Sequence, residues 1–263
     1  MHHDTPFLRS LQIQLRVVGA LLMREILTRY GRHNVGFLWI FFEPMMFTLG
    51  VLTLWTATKA THGSTLPITS FAVTGYSSVL LWRNCANRCA LAILPNQALL
   101  YHRNVRVIDL FMARVLLEIA GATTSFVILT VFFVTIGLMQ PPQDITLVIG
   151  AWIYLAVFGS SLGFAIGALS ERSETIERVW HTIAYLLFPL SGALFMVDWL
   201  PTNFQKIVLL LPMVHGAEML RGGYFGSLVK PHYDIGYMVT CDLVLMFIGL
   251  YLVRDASKRV EPE

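Results

Sequence analysis

Six apolar runs, each close to the length needed to cross a bilayer, limit what this chain can fold into. A membrane-spanning helix needs about 20 mostly apolar residues, and such runs recur here with prolines such as Pro67, Pro95 and Pro142 between them. The chain is 56% hydrophobic and only 13% charged, whereas soluble domains carry about a quarter charged residues. The sequence therefore predicts an all-α integral membrane protein with about six transmembrane helices over residues 35–254. The predicted spans are Val35–Thr58, Ile68–Leu94, Leu110–Leu138, Ile145–Leu169, Val179–Val197 and Ile235–Val253.

The distribution of basic residues indicates the orientation of these spans. Cytoplasmic loops of membrane proteins carry an excess of Lys and Arg. Here the first connection contributes only Lys59 and the third contributes none, while the fifth is long and partly apolar. We therefore expect both termini in the cytoplasm, with residues 255–263 as a short cytoplasmic tail. The basic residues behind this orientation are Arg9, Arg16, Arg24, Arg29, Arg32, Arg103, Arg106, Arg172, Arg178, Arg254, Lys258 and Arg259.

The N-terminal segment, residues 1–34, is predicted to form an amphipathic helix. Its apolar residues recur at spacings of three and four, which places them on one helical face. An amphipathic helix can also pack on a soluble domain, but no such domain is left in the chain. We therefore expect this helix to lie in the cytoplasmic membrane interface with its apolar face down. That face consists of Leu8, Leu11, Leu15, Val18, Leu22 and Ile26.

The connection before the last span, residues 198–223, carries a second interruption of the spanning pattern. The apolar run Thr202–Leu211 is too short to span, and Pro212 ends it. A second short helix is predicted to run to Arg221, closed by Gly222 and Gly223. Two short helices back to back fit a re-entrant pair that dips into the outer face. Because irregular backbone at membrane depth must be buried or line water, the pair is predicted to form a gate or cavity wall.

The second connection, which begins PNQALLYHRNVR at Pro95, is too polar to span and too apolar to be a plain linker. One interpretation is a short cytoplasmic helix that exposes Leu99, Leu100 and Tyr101 to another protein. The other is that these residues pack under the helical bundle. The sequence does not choose between the two.

The second span carries a stripe of polar residues where such residues are costly. Even on a lenient insertion scale, a central arginine costs about 2.5 kcal/mol or more. A cationic stripe suits phosphate or carboxylate groups in a water-filled path. The alternatives are snorkelling from a shorter span, or ion pairs with Glu43, Glu118 or Asp242. We favour the path, because two arginines with two asparagines exceed what one ion pair requires. The stripe comprises Tyr76, Arg83, Asn84, Asn87 and Arg88.

Catalytic and metal-binding motifs do not stand out in this sequence. It contains no G-x-x-x-x-G-K-[ST] phosphate loop and no H-E-x-x-H or G-x-S-x-G motif. Cys85 and Cys89 share a helix face, but a metal site needs more ligands than this pair, so packing is the better interpretation. We expect no metal or cofactor in this chain and, without a run of basic residues, no nucleic-acid partner.

Three blocks of sequence resemble the permease subunit of bacterial capsular polysaccharide ABC exporters, within the type-2 ABC exporter family. The first is REILTRYG at Arg24–Gly31 followed by VGFLWIFFEP at Val35–Pro44. The second is Asn87–Glu118, which looks like the family's second span, cytoplasmic coupling segment and third-span start. The third is Leu211–Tyr224, which carries a P-x-x-H-x-x-E-x-x-R pattern. Together the blocks cover nearly the whole chain in order.

The resemblance implies a transport subunit that is not itself an enzyme. Two copies would pair around a channel in the bacterial inner membrane, and two separate ATPase subunits, which bind ATP and Mg, would dock from the cytoplasm. A periplasmic adaptor or co-polymerase and an outer-membrane export channel would complete the route of a lipid-linked, acidic capsular polysaccharide from cytoplasm to periplasm.

The resemblance also implies roles for particular residues. In a gate helix over residues 1–34 these are Arg24, Glu25 and Arg29. In a coupling segment over residues 95–109 they are Asn96, Leu99, Leu100, Tyr101, Arg103, Arg106 and Asp109. In a periplasmic cap over residues 198–223 they are Pro212, His215, Glu218 and Arg221.

Three other functions fit parts of the sequence. A type-2 exporter of O-antigen, teichoic acid or small molecules would share the architecture. An integral membrane enzyme acting on lipid-linked sugars would need converging acid–base groups, and only His215 and Glu218 offer such a pair. An ion-coupled carrier would show interrupted helices in both halves, whereas only the C-terminal half has one here.

Overall fold

The computed structural model describes residues 7–30, 38–57, 66–100 and 105–260, and every regular element in those ranges is a helix. Short 3-10 turns lie at Leu94–Asn96, Val197–Trp199 and Gly226–Leu228. The α-helices are α1 (Phe7–Tyr30), α2 (Trp39–Ala57), α3 (Ile68–Ala90), α4 (Gln97–Leu100), α5 (Val107–Thr135), α6 (Ile145–Arg172), α7 (Glu174–Leu190), α8 (Thr202–Val208), α9 (Pro212–Phe225) and α10 (Ile235–Val260).

Three of the described helices, α5, α6 and α10, are long and apolar enough to cross a membrane. Helices α2, α3 and α7 contain 19, 23 and 17 residues, which at 1.5 Å per residue correspond to about 26–35 Å. The large apolar side chains that face outwards from α5, α7 and α10 suit lipid rather than water. The predicted class, an all-α integral membrane protein, is thereby confirmed, and six remains the predicted number of spans.

The fifth predicted span is displaced towards the N-terminus. Val179–Val197 was expected, but α7 covers Glu174–Leu190. The helix begins early because the Ser173 hydroxyl accepts a hydrogen bond from the Thr175 amide (3.2 Å) and caps it. It ends early because the chain turns at Gly192, whose φ is +81°. Val197 is buried in the following turn and not in a span.

Helix α6 lies at the centre of the described bundle, against α3, α9 and α10. Its closest approach is to α3, along three glycines spaced by four residues. A Cβ atom at Gly159 would lie 2.7 Å from the Trp82 Cα atom, and one at Gly167 would lie 2.7 Å from the Cys89 carbonyl oxygen. A stripe of small residues of this kind lets two membrane helices pack backbone to backbone. The third glycine of the stripe is Gly163.

The amphipathic helix α1 packs along α5 with only part of its apolar face. Val18 and Leu21 are buried in a cluster with apolar residues of α5. Leu8, Leu11 and Leu15, which belong to the predicted apolar face, are exposed. A free apolar strip beside a packed one agrees with a helix at a membrane surface, and the interfacial location remains a prediction.

The predicted pair of short helices is present, but the second helix is longer than expected. Gly222 and Gly223 do not end α9; both are buried inside it, and the helix ends at Gly226, whose φ is +53°. A Cβ atom at Gly223 would meet the Val148 amide nitrogen at 2.9 Å. Gly223 therefore serves close packing against the start of α6 and Gly222 close packing against Pro231. The helix ends only at Gly226, where φ is positive.

Candidate functional site

A polar cleft of about 500 Å³ opens between α1, α2, α3, α5 and α7. Five of the described residues that line it are charged. The walls bring together residues that are far apart in the chain, from the N-terminal helix to α7. The polar residues of the cleft are Glu25, Glu43, Arg83, Asn84, Asn87, Arg88, Arg114, His181 and Tyr185.

The close contact between α3 and α6 explains why the polar stripe faces this cleft. Trp82, Cys85 and Cys89 of α3 pack against the glycine stripe of α6 and are 1% exposed or less. The neighbouring positions 83, 84, 87 and 88 lie about 100–200° around the helix from them, and all four are half-buried. Fixing one face of α3 against α6 therefore turns the arginines and asparagines towards the cleft.

Arg88 is held by two carboxylates. Its guanidinium lies 3.4 Å from a Glu43 oxygen on α2 and 3.3 Å from a Glu118 oxygen on α5. These are two of the partners that the ion-pair alternative named from the sequence. Arg88 therefore ties three helices together, and its charge is compensated within the chain.

Arg83 has no carboxylate partner among the described residues. Its guanidinium carbon lies 5.9 Å from the centre of the Phe188 ring, within range of a cation–π contact. Its Nε atom is buried without a hydrogen-bond partner. This side chain combines a charge, a wall position in the cleft and unused donors, which is the arrangement that an anionic ligand requires.

The remaining stripe residues divide between the cleft and the core. Asn84 lines the cleft, and the side-chain Oδ1 atom of Asn87 accepts a hydrogen bond from the Trp180 indole (2.8 Å). Tyr76 does not line the cleft, contrary to prediction. It is 8% exposed and packs edge-to-face on Phe188 at 5.7 Å. Two turns before Arg83, α3 is already surrounded by other helices and is buried on all sides.

The arginines are also nearer to the helix end than predicted. The sequence placed them within a span predicted to end at Leu94, but α3 ends at Ala90. Arg88 is therefore in the last turn, and Arg83 is about 10 Å from the end. The chain then enters the Leu94–Asn96 turn and α4, so the cleft lies next to the coupling segment.

The coupling segment is more buried in the bundle than the interpretation with exposed Leu99 and Leu100 predicted. Leu100 is 3% exposed and Leu99 is half-buried against the same cluster that holds α1. At the end of the segment Asp109 accepts a hydrogen bond from the Arg106 amide (3.0 Å) and caps α5. Tyr101, Arg103 and the side chain of Arg29 lie outside the described residues.

Of the predicted gate residues, Arg24 is bonded to the coupling segment and Glu25 to α5 just beyond it. Arg24 Nη1 donates to the Asn96 side-chain oxygen at 2.5 Å, and Glu25 lies 3.4 Å from Arg114 of α5. Arg114 in turn donates to the backbone carbonyl of Arg88 (2.6 Å). The structure therefore brings the gate, coupling and stripe residues into one polar network.

The predicted cap residues on α9 bind backbone groups of the loops on either side. His215 accepts from the Asp234 amide at Nδ1 (3.0 Å), so its Nε2 carries the proton that is donated to the Leu209 carbonyl (2.8 Å). The Pro212 carbonyl accepts from the Tyr154 hydroxyl (2.9 Å). These hydrogen bonds attach α9 to α6 and to the segments that precede and follow it.

Glu218 and Arg221 complete the same pattern one and two turns further on. Glu218 accepts from the Val197 and His232 amides, both at 2.9 Å. Arg221 donates to the carbonyls of residues 71, 192, 193 and 195 and stacks on the Phe71 ring at 3.7 Å. Burial raises the pKa of Glu218 and lowers the pKa of Arg221 to about 9, while their mutual attraction opposes both shifts. Both carboxylate oxygens of Glu218 and both terminal nitrogens of Arg221 bind backbone groups, whereas the Arg221 Nε atom is buried without a hydrogen-bond partner. The pair therefore fastens the loops around α9.

Two important features escaped the sequence-based prediction. Arg114 lies in the middle of the network but looks like an isolated charge at the start of a span. The glycine stripe of α6 had a readable signal, because the spacing of Gly159, Gly163 and Gly167 is a repeated small-xxx-small pattern. Within the described residues, no cluster of three or more His, Cys, Asp or Glu side chains could hold a metal ion.

An all-α bundle with an apolar outer surface and a charged cleft beside the coupling segment fits the class of membrane transport subunits. The sequence profile of the ABC-2 type transporter family matches residues 16–225, and the chain belongs to this family. It is therefore a transport subunit rather than a catalytic one.

Similar proteins extend over nearly the whole chain. The chain is 46% identical to the capsule polysaccharide export inner-membrane protein CtrC of Neisseria meningitidis serogroup B, over 99% of this chain and 98% of CtrC. It is 45% identical to the capsule polysaccharide export inner-membrane protein BexB of Haemophilus influenzae, with the same coverage. It is 25% identical to the polysialic acid transport protein KpsM of Escherichia coli, over 94% of this chain and 96% of KpsM.

Proposed function

We propose that this chain is the membrane-spanning subunit of an ATP-driven exporter that moves a lipid-linked, acidic capsular polysaccharide from the cytoplasm to the periplasm. The observation that carries the proposal is the similarity to CtrC and BexB, which extends over 99% of this chain. Both proteins are named for capsule polysaccharide export and for the inner membrane. We place this chain in the same membrane, with both termini in the cytoplasm.

The cleft has the chemistry that such a substrate requires. Arg83 offers a cation without a carboxylate partner among the described residues, and Asn84 adds an amide beside it. An apolar groove of about 450 Å³ on α2 adjoins the cleft and shares Glu43 and Phe47 with it. A molecule with an anionic head and an apolar tail could bind both surfaces at once, with the head at the cation and the tail along α2.

The energy for transport is proposed to come from other subunits. The sequence carries no phosphate-binding loop. In the proposed exporter, two copies of this chain pair with two ATPase subunits that bind ATP and Mg. The ATPase subunits dock at the coupling segment, where Gln97 and Ala98 are exposed. A periplasmic adaptor and an outer-membrane channel carry the polymer onwards.

The alternatives are less well supported. The O-antigen and small-molecule alternatives lack the support that the names CtrC and BexB give to capsule export. The enzyme alternative relied on His215 and Glu218, but those side chains are bonded to backbone groups of neighbouring loops. They are not arranged around a free space in which a substrate could react.

The test is reconstitution of the exporter. The chain is co-expressed with the ATPase encoded beside it, and the complex is placed in lipid vesicles containing a lipid-linked acidic polysaccharide. We expect a complex with two copies of each subunit that hydrolyses ATP and moves the polymer only when ATP is present. Failure of any ATPase to associate, or modification of the lipid-linked sugar by this chain alone, would overturn the proposal.

A pair of tryptophan substitutions locates the docking surface in the same assay. Ala98→Trp changes an exposed position of α4, and we expect it to weaken ATPase binding without disturbing the core. Thr202→Trp changes an equally exposed position of α8, which is predicted to lie on the opposite side of the membrane, and serves as the control. Equal effects from both changes would contradict docking at the coupling segment.

A further inference from the structure

Two hydrogen bonds fasten α1 to the coupling segment at points ten residues apart. Gln14 Nε2 donates to an Asp109 carboxylate oxygen (3.1 Å), and Arg24 Nη1 donates to the Asn96 oxygen (2.5 Å). On a helix that separation is about 15 Å. Two attachments that far apart prevent α1 from tilting independently of the segment.

Both acceptors are themselves held in place. Asp109 is 2% exposed and caps the first turn of α5 through the Arg106 amide. Asn96 is 5% exposed and donates from its amide to the Ala92 carbonyl (2.8 Å). The bonds therefore attach α1 to rigid points rather than to free side chains, and Val18 and Leu21 pack between them.

Arg114 extends this attachment into the polar cleft. Its side chain is 11% exposed, contacts Glu25 of α1 at 3.4 Å and donates to the Arg88 carbonyl at 2.6 Å. Arg88 then reaches Glu43 of α2. Arg114 and Glu25 also form the wall between the cleft and a second cavity of about 220 Å³ next to Asn96.

We infer that α1 and the coupling segment move as one body, and that Arg114 is the positioning residue that transmits their movement to the α3 wall of the polar cleft. The inference rests on the proposed function, because the movement originates where an ATPase docks. A displacement of the coupling segment displaces Asn96 and Asp109, and with them α1. The Glu25–Arg114 contact then moves the backbone at Arg88 and changes the width of the cleft.

The first test separates transmission from folding. Export per ATP hydrolysed is measured for the whole exporter in lipid vesicles with a lipid-linked acidic polysaccharide. Glu25→Gln removes the ion pair but keeps the side-chain volume. We expect assembly and ATP hydrolysis to stay near the wild-type values while export per ATP falls about fivefold or more. A purely structural role would lower assembly and hydrolysis together and leave the ratio unchanged.

A matched control is available at the same end of the bundle, between α6 and α10. Glu171 forms an ion pair with Arg259 at 2.9 Å and is 18% exposed, against 17% for Glu25. We expect Glu171→Gln to leave export per ATP unchanged. If both variants lower the ratio equally, or if neither does, the inference is wrong. If the wild-type complex binds no ATPase or exports nothing, the proposed function itself has failed before any variant is compared.

The second test asks whether α1 separates from the segment during transport. Gln14→Cys and Asp109→Cys are combined on a Cys241→Ser background and joined by a short reducible cross-linker. We expect the reduced form to export less per ATP and the cross-linked form to recover. Arg24→Cys with Asn96→Cys repeats the test if the first pair does not assemble. Loss of export on cross-linking, restored by reduction, would show that the two parts must separate and would overturn the inference.

Discussion

Arg83 and Arg88 lie five residues apart on α3 and both line the polar cleft, but their surroundings give them different tasks. Arg88 is compensated by Glu43 and Glu118 and fastens α3 to α2 and α5. Arg83 has only an aromatic ring beside it among the described residues. Arg83 is half-buried, and its Nε atom is buried without a hydrogen-bond partner. An unpaired polar group of this kind is costly, and an anionic ligand would compensate the charge.

We predict that glutamine substitutions separate these roles. Arg88→Gln leaves two carboxylates without their partner, so we expect the subunit to lose about 1–3 kcal/mol of stability. Arg83→Gln removes no ion pair within the described ranges, so we expect unchanged thermal stability but substrate binding weakened about tenfold or more. Thermal unfolding in detergent and binding of a lipid-linked acidic polysaccharide measure the two effects. An unstable Arg83→Gln variant with normal binding would reverse the assignment.

At this scale the sequence predicts the types of residue but not their partners. The spacing of Arg83, Asn84 and Asn87 was enough to place them on one face, and the cleft confirms that they share it. Which arginine would be paired depended on where Glu43 and Glu118 come to lie, and those positions are set by the packing of two other helices. Arg114 could not be singled out for the same reason.

At the scale of elements, the glycine stripe of α6 is the feature on which the polar cleft depends. It allows the backbone of α3 to lie against α6 from Trp82 to Cys89, and this contact sets the rotation of α3 about its axis. A rotation by one residue, about 100°, would turn the arginines away from the cleft. Helix α6 contributes no residue to the cleft, yet it determines the orientation of α3, which contributes more cleft residues than any other described helix.

We predict that adding a methyl group to this stripe disturbs the cleft. In Gly159→Ala the new Cβ atom would lie 2.7 Å from the Trp82 backbone, so we expect the free energy of unfolding to fall by about 1–3 kcal/mol. We also expect a cysteine introduced as Asn84→Cys to change its reactivity towards a thiol reagent. Gly150→Ala on the same helix is the control, since its Cβ atom would meet only the flexible end of Met219 at 3.2 Å. Similar losses at both sites, measured by thermal unfolding, would rule out a special role for the stripe.

Some helix ends agree with the prediction from the apolar pattern; α6, for example, begins at the predicted Ile145. Others depart from it where polar capping or packing decides. Ser173 starts α7 before its apolar run, and Gly222 and Gly223, which looked like a stop, are packing positions inside α9. A glycine ends a helix only where the chain adopts a left-handed backbone, and the sequence alone did not distinguish Gly226 from its neighbours.

At the scale of the whole molecule, polar ties gather at the two ends of the bundle. At one end the coupling segment meets α1, and Arg172 and Arg259 pair with Asp255 on α10. At the other end α8, α9 and the α5–α6 connection are fastened by His215, Glu218 and the Tyr224 hydroxyl, which donates to the Gln140 carbonyl (2.6 Å). Between them the outward surface is largely apolar, as a protein that crosses a membrane requires.

This two-ended arrangement predicts which positions face each side of the membrane. On a Cys241→Ser background, since Cys85 and Cys89 are buried, single cysteines are placed at exposed sites. We expect Gln140→Cys and Asn203→Cys to react with a membrane-impermeant maleimide in intact spheroplasts, and Gln97→Cys and Glu174→Cys to react only after permeabilisation. The pattern follows from six spans with cytoplasmic termini, because each pair of reporters is separated from the other by whole spans. Labelling of Gln97→Cys and Asn203→Cys from the same side would mean that α5, α6 and α7 do not all cross the membrane, and would contradict the predicted six spans.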